Sequence, residues 1–293
     1  RRWRGNGVGA TSKVRNLGRD RAVKAIHHVV GGTIHAAGGG YDEWTVIAPD
    51  GRHWKAVSDG SLGSRSTSAE VVTPILKWDD METLQAVVRE LRKAGAKTPE
   101  CTSQHVHIGV GDFNARQIAN FARIFYKQEE LLLKAAGTLQ RRIDSYTRRT
   151  DREFIARLEN TKPTTREELN KAWFGYANPN PAHYDSMRYH AINLNNVWRT
   201  GTVEVRCFNG TTHAGEVKSH IVLCLAIAAL AKNAKCASTK NQRPFCAESA
   251  KYDMRVFLLR LGLIGPEFKN VRMHLLKHLP GNTAWKHGRP EGG

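Results

Sequence analysis

The chain has 293 residues, of which 40% are hydrophobic and 25% charged, a composition that suits a folded chain with a sizeable core in one large domain or two closely joined ones. Its formal net charge of +18 points to a polyanionic partner (nucleic acid, nucleotide or acidic peptide), with a plain basic solvated surface an equal or stronger reading. No run reaches the roughly 20 apolar residues of a bilayer span, and the basic opening RRWRGNGVGA has no apolar core, so it is no secretory signal.

Basic residues gather loosely at positions 1–4, 15–21, 141–152 and 277–289. No zinc finger, helix-turn-helix or aromatic RNA-binding motif accompanies them. The five cysteines (Cys101, Cys207, Cys224, Cys236 and Cys246) form an odd set without a C-x-x-C pair. Cys207 and Cys224 sit within apolar patterns and read as buried thiols. A reducing, cytoplasmic setting without a disulfide framework is expected.

In chain order, residues 20–30 carry Ala22, Val23, Ile26 and Val30 at helical spacing, and Gly31-Gly32 stops that helix. Residues 33–62 read as short strands joined by turns, with Pro49-Asp50-Gly51 the strongest turn signal. EVVTPIL (70–76) is a further strand. Residues 79–94 predict a helix, with Asp79 and Glu82 as a capping box and Gly95 as its stop. QHVHIGV (104–110) is a strand, and residues 114–136 form a long amphipathic helix. Residues 140–180 are polar and partly helical, with a second capping box at Thr164 and Glu167. RYHAINLNN and TVEVRCF give two more strands. Helices follow over 215–232, 249–261 and 266–278, the last with Pro266 at its start.

The apolar run 221–231 reads as part of a buried helix. With several strands and few crossover helices between them, the pattern predicts an α+β fold with a mainly antiparallel sheet covered by helices. One domain spans 1–293: a strand and helix part (19–110), a helical insertion (111–182) and C-terminal strands and helices (183–293).

Strand alternation places polar groups on single faces. In QHVHIGV, His105 and His107 oppose Val106 and Ile108. In EVVTPIL, Glu70 shares a face with Val72 and Pro74. Asn193 and Asn195 share one face. In GTVEVRCFNGT (201–211), Glu204 and Arg206 lie with Thr202 and Phe208, opposite Val203, Val205 and Cys207.

Each pair has a plain alternative: histidines facing water, a same-face ion pair, or asparagines satisfying turn backbones. Collected on one sheet face, they are costly to bury unless they pair or bind a ligand. Carboxylates such as Glu70 and Glu204 suit a hard divalent cation, and a guanidinium such as Arg206 suits phosphate. Together these groups describe a site for ATP with Mg²⁺ or Mn²⁺.

The motifs SDGSL (58–62), AEVVTPIL (69–76), HVHI (105–108), FYKQE (125–129), HYDSMRYHAINLNNVW (183–198), GTVEVRCFNGTTHAGEVK (201–218) and FLLRLGLIG (257–265) follow the order of the amidoligase family, which the chain resembles from about residue 20 to 285. That family is similar to the carboxylate–amine ligases, including glutamate–cysteine ligase and, more distantly, glutamine synthetase. The resemblance implies a curved antiparallel sheet with helices on its outer face and a concave face that binds ATP and Mg²⁺. It also implies a reaction in which a carboxylate is phosphorylated and an amine then displaces the phosphate, with small-molecule, peptide or protein substrates.

By matching motif, Glu70 and Glu204 resemble metal ligands, and His107 resembles a partner of metal or phosphate, with His105 beside it. Arg206 resembles the phosphoryl-contacting arginine. Arg188, Asn193 and Asn195 resemble the nucleotide- or substrate-facing set, and Asp59 sits in the D-x-S-L element. The family's first strand reads roughly G-[IV]-E-x-E, and its two glutamates hold metal ions. The aligned stretch here is GVGAT, where Gly9 and Thr11 replace them.

A weakened or lost metal site is therefore expected. Three accounts follow: an inactive descendant, an enzyme using fewer metal ions, or a chain whose beginning differs from the natural protein's. Two other classes compete. A zinc hydrolase would use the His105/His107 strand with His183, His190 or His213 as a third ligand. A nucleic-acid-binding protein would use the basic surface.

Overall fold

In the computed structural model the described residues are 7–239 and 244–286, so the basic run at 1–4 and the end of that at 277–289 lie outside them. Eight strands form one antiparallel sheet: β1 (Val8–Arg15), β2 (Thr33–Gly38), β3 (Glu43–Ile47), β4 (His53–Val57), β5 (Ser68–Val72), β6 (Ser103–Gly109), β7 (Ile192–Asn193) and β8 (Thr202–Asn209). Their order across the sheet is β2-β3-β4-β5-β1-β6-β8-β7. The strands before β6 are joined mainly by turns, as at residues 49–51, where Asp50 Oδ1 accepts the Arg52 amide at 3.0 Å.

Among the described residues, ten α-helices accompany the sheet. They are α1 (Arg19–Val30), α2 (Met81–Lys93), α3 (Ala115–Ala135), α4 (Gln140–Ile143), α5 (Arg152–Thr161), α6 (Arg166–Phe174), α7 (Asn195–Arg199), α8 (Ala214–Asn233), α9 (Ala250–Arg260) and α10 (Lys269–Leu276). The class is α+β.

Two-residue periodicity sorts the strands into two faces. Val8, Ala10 and Val14 of β1, Ala69 and Val71 of β5, Val106 and Ile108 of β6, and Val203 and Val205 of β8 are buried in one continuous apolar cluster that reaches Leu279. α1 packs on β3, β4 and β5, α8 packs on β1 and β6, and α2 lies between α1 and α8. α3 and α10 flank α8. The opposite face, bearing Gly9, Thr11, Lys13, Glu70, His105, His107, Glu204 and Arg206, lines a hollow.

α1 ends where expected. Gly31 has φ of 69°, and a Cβ on Gly32 (φ 88°) would stand 1.9 Å from the Ile47 carbonyl oxygen, so only glycine fits there. α8 has 20 residues and by length and hydropathy could cross a membrane, longer than the run read from sequence; here 72% of that window is buried inside the protein. All five cysteines are free, and Cys207 and Cys224 are the buried pair.

Several local expectations are corrected. Asp79 and Glu82 form no capping box; Asp80 accepts the Lys77 amide at 2.7 Å, capping the short turn that leads into α2. The second box is Thr165 with Glu168, one residue later than read, because α6 starts one residue later. RYHAINLNN supplies only the two-residue β7 before α7 begins.

Phe208 also departs from simple alternation. Val106 pairs with Val205 but Gln104 pairs with Phe208, so one extra residue of β8 is accommodated. This bulge reverses the facing after Arg206. Phe208 therefore stacks on His220 of α8, with ring centroids 4.1 Å apart. His220 Nδ1 lies 2.7 Å from Gln104 Oε1 and donates to it, tying helix to sheet.

Burial pushes the His220 pKa down to about 3, with Glu216 opposing the fall. The group binds a proton readily when unfolded and not when folded, so its contribution is intact above pH 6.5 and is lost as pH falls toward 3. The loss should be about 1.4 kcal/mol per pH unit. The stability advantage of wild type over His220→Gln, measured by urea unfolding, should shrink at that rate below pH 6; a pH-independent gap would contradict this account.

Candidate active site

Glu204 is the centre of the polar face. It is 2% exposed, and both carboxylate oxygens are taken. Oε1 accepts from Arg206 Nη1 at 2.8 Å and lies 3.0 Å from His105 Nδ1 and 3.8 Å from His107 Nε2. Oε2 accepts from Asn193 Nδ2 at 2.6 Å and Asn196 Nδ2 at 3.1 Å.

The backbone explains this convergence. Antiparallel register places His107 opposite Glu204 from β6 and Asn193 opposite it from β7. Arg206 is two residues along the same face. Burial alone would raise the Glu204 pKa, but Arg206, His107 and His105 outweigh it and hold the carboxyl well below its ordinary range. Burial and the Arg206 charge push His105 down to about 3 despite Glu204. His105 is therefore neutral, and its Nδ1–H donates to the carboxylate. Burial lowers His107 as well.

β1 and β5 form the other wall. Lys13 Nζ donates to Asp59 Oδ2 at 2.7 Å and to Ser61 Oγ at 3.0 Å. Asp59 also accepts the Ser61 amide at 2.9 Å, which fixes the turn at residues 60–62. Glu70 stands opposite Lys13 in the β1–β5 register. Burial raises the Glu70 pKa, the Lys13 charge opposes that rise, and Asp59 and Glu204 add to it. No cation lies within salt-bridge distance of Glu70 among the described residues. The buried Thr11 hydroxyl beside it has no well-formed hydrogen bond.

These walls enclose a hollow of about 660 Å³. A second hollow of about 500 Å³ adjoins it, lined by Arg141, Arg142, Tyr146 and Tyr189. Lys13, Asp59, His105, Tyr184, Arg188 and Arg206 border both. Arg188 donates to the His183 carbonyl at 2.7 Å and lies over the rings of Tyr184 and Tyr189. Arg206 completes its contacts with the Tyr146 carbonyl at 3.4 Å and the Tyr189 ring. Arg142 is buried and donates to the Arg206 carbonyl at 2.8 Å, so its role at the second hollow is largely to hold β8.

Of the residues read from sequence, Asp59, Glu70, His105, His107, Arg188, Asn193, Glu204 and Arg206 converge on this region. Asn195 does not. It lies in α7, accepts from Trp173 Nε1 at 2.6 Å and is buried away from the hollow. Strand parity carried past Asn193 fails because the chain turns helical there, and the next residue, Asn196, reaches Glu204 instead.

Lys13 and Asn196 were the residues missed. Extending the β1 alternation from Thr11 by one step would have found Lys13; Asn196 has no comparable signal. Gly9 and Thr11 do face the hollow, and a Cβ at Gly9 would meet nothing closer than His107 Cβ at 3.7 Å.

Among the described residues, no group of three donors within metal-binding reach includes His105 or His107. His190 faces away, with Nδ1 at 2.9 Å from the Met187 carbonyl and its ring edge-on to Trp173. The one group of three donors within 4.8 Å among the described residues is His213, Glu216 and His274. It lies on the helical side, where Glu216 already pairs with Lys277 and Thr211.

Comparison with protein families matches residues 11–228 to a family described as "putative amidoligase enzyme". The match covers most of the chain, and the chain belongs to the amidoligase family. It begins at Thr11, leaving Gly9 outside, and it ends within α8, so FLLRLGLIG (257–265) also lies outside it. No curated protein matches the chain.

Removing Glu204 would leave the nearly buried Arg206 without its carboxylate. Breaking a buried pair from one side costs about 3–5 kcal/mol. Glu204→Ala should lose stability on that scale in urea unfolding at neutral pH, whereas Asn195→Asp should leave the Arg206 environment unchanged. A fully stable Glu204→Ala protein would refute the central position given to this carboxylate.

Proposed function

We propose that the chain is an ATP-dependent ligase that joins a carboxylate to an amine through an acyl phosphate. The observation that carries this reading is the ring of cationic groups (Arg188, Arg206, Lys13 and Arg141) around two adjoining hollows that also hold the open carboxylate of Glu70. A carboxylate and a nucleoside triphosphate repel one another, and a protein that joins them must cancel that repulsion before it can align them.

The first step forms a bond from a substrate carboxylate oxygen to the γ-phosphorus of ATP, and the bond to the bridging oxygen breaks to release ADP. In the second, the amine nitrogen attacks the acyl carbon and the bond from that carbon to the phosphate oxygen breaks. The amine gives up a proton, and the neutral His107 imidazole facing the hollow is placed to accept it. Arg206 and Arg188 orient the phosphoryl oxygens, with Arg206 held in place by Glu204. No side-chain nucleophile is required.

The residues fit a hard cation on the Glu70 side. Its carboxylate faces the hollow without an ion pair, and oxygen ligands suit Mg²⁺ or Mn²⁺. Glu204 fits less well, because four hydrogen-bond partners already occupy its oxygens and a metal would have to displace one. A divalent ion held by Glu70 would neutralise phosphate charge. The nitrogen of His107 is a poorer ligand for such an ion than an oxygen.

Calorimetric titration with a non-hydrolysable ATP analogue tests the reading. Binding should require Mg²⁺ or Mn²⁺, and Glu70→Gln should weaken that metal-dependent binding. Arg188→Ala should weaken binding about tenfold or more, as expected for loss of a charged hydrogen bond worth about 1.5–3 kcal/mol. Absence of binding at millimolar nucleotide with either metal would overturn the proposal.

A further inference from the structure

We infer that Lys13 is a tethered cation that takes the place of a divalent metal ion between Asp59 and Glu70, so that this site works with one metal ion fewer than its carboxylates could otherwise hold. The inference rests on the reading of the hollow as a ligase site.

Asp59 and Glu70 both line the hollow. Two carboxylates facing one cavity repel each other and need a positive charge nearby. Here the chain provides it. Lys13 Nζ sits on Asp59 Oδ2 at 2.7 Å and on Ser61 Oγ at 3.0 Å, with only 13% of its side chain exposed. It rises from β1 directly across from Glu70, and cross-strand neighbours on one sheet face have Cβ atoms about 5 Å apart.

A divalent ion bound to the same Asp59 oxygen would lie a few ångströms from this ammonium, in a cavity where solvent screens little. Lysine and metal therefore exclude each other at Asp59. The ammonium differs from a metal in two ways: it donates up to three hydrogen bonds, and it cannot leave. Asp59 and Ser61 use two of these donors, and the remaining one can meet an anionic oxygen of a bound substrate. The side chain borders both hollows, so it stands where such an oxygen would pass from one to the other. Glu70, with no ion pair of its own, is left as the carboxylate open to an ion from solution.

Counting Mn²⁺ by electron paramagnetic resonance, without nucleotide, tests this. Wild type and Lys13→Arg should bind the same number of ions. Lys13→Met should bind one more, and its melting temperature, lowered without metal, should recover on adding Mn²⁺ while that of wild type shifts less. Adding Asp59→Asn to Lys13→Met should abolish the gain.

Equal counts in wild type and Lys13→Met would overturn the inference. If Lys13→Met does not fold, the single substitution Asp59→Asn decides: it should leave the wild-type count unchanged, and loss of an ion would show that Asp59 binds metal despite Lys13. The ligase reading stands or falls separately, because it is read from nucleotide binding. A gained ion without nucleotide binding would spare the Lys13 inference alone, and nucleotide binding without a gained ion would spare only the ligase reading.

Discussion

The carboxylate of Glu204, buried and negatively charged, is the constraint on which this site depends. Such a charge is tolerable only if every lone pair finds a donor. The chain meets that demand from the distant β6 with His105 and from three successive segments, β7 with Asn193, α7 with Asn196 and β8 with Arg206. The consequence is positional. Arg206 is pinned at the boundary between the hollows, and the two histidines are kept neutral by the same burial that makes the carboxylate expensive. The charge that polarises the site also locks its geometry.

The two walls of the hollow use opposite tactics. On the β6–β8 side a carboxylate is saturated with donors and serves as scaffold. On the β1–β5 side a carboxylate stands without an ion pair among the described residues, next to one clamped by lysine. Residues that look equivalent in sequence, Glu70 and Glu204, therefore differ in what they can do. Burial raises the pKa of Glu70, whereas Arg206 and the histidines hold Glu204 far down. Separation of that kind between similar groups gives a single cavity distinct chemical roles.

Much of this was legible in the sequence because strand alternation has a period of two and does not depend on tertiary context. His105, His107, Glu70, Glu204 and Arg206 all fall on the face that parity assigns them. Parity failed where the backbone changed period. The bulge opposite Gln104 and Val106 carried Phe208 to the helical side, and the onset of α7 exchanged Asn195 for Asn196. The capping signals at residues 79–82 and 164–167 were misplaced by two positions and one position, since neighbouring acidic and hydroxyl groups compete for the same amides. Lys13 was overlooked for another reason. It lies one β1 step beyond Gly9 and Thr11 and carries a charge opposite in sign to the glutamates of the family's first strand.

The family match stops before the last five residues of α8, yet that helix is largely buried and packs against α2, α3 and α10. The edge of detectable sequence kinship is thus not an edge of the folding unit. A fragment cut there would lose the last five residues of α8 together with α9 and α10, baring apolar faces of α8 and α3 to water. Residues 229–239 and 244–286 are not among the groups lining the two hollows; they cover the hydrophobic side and supply bulk to the core.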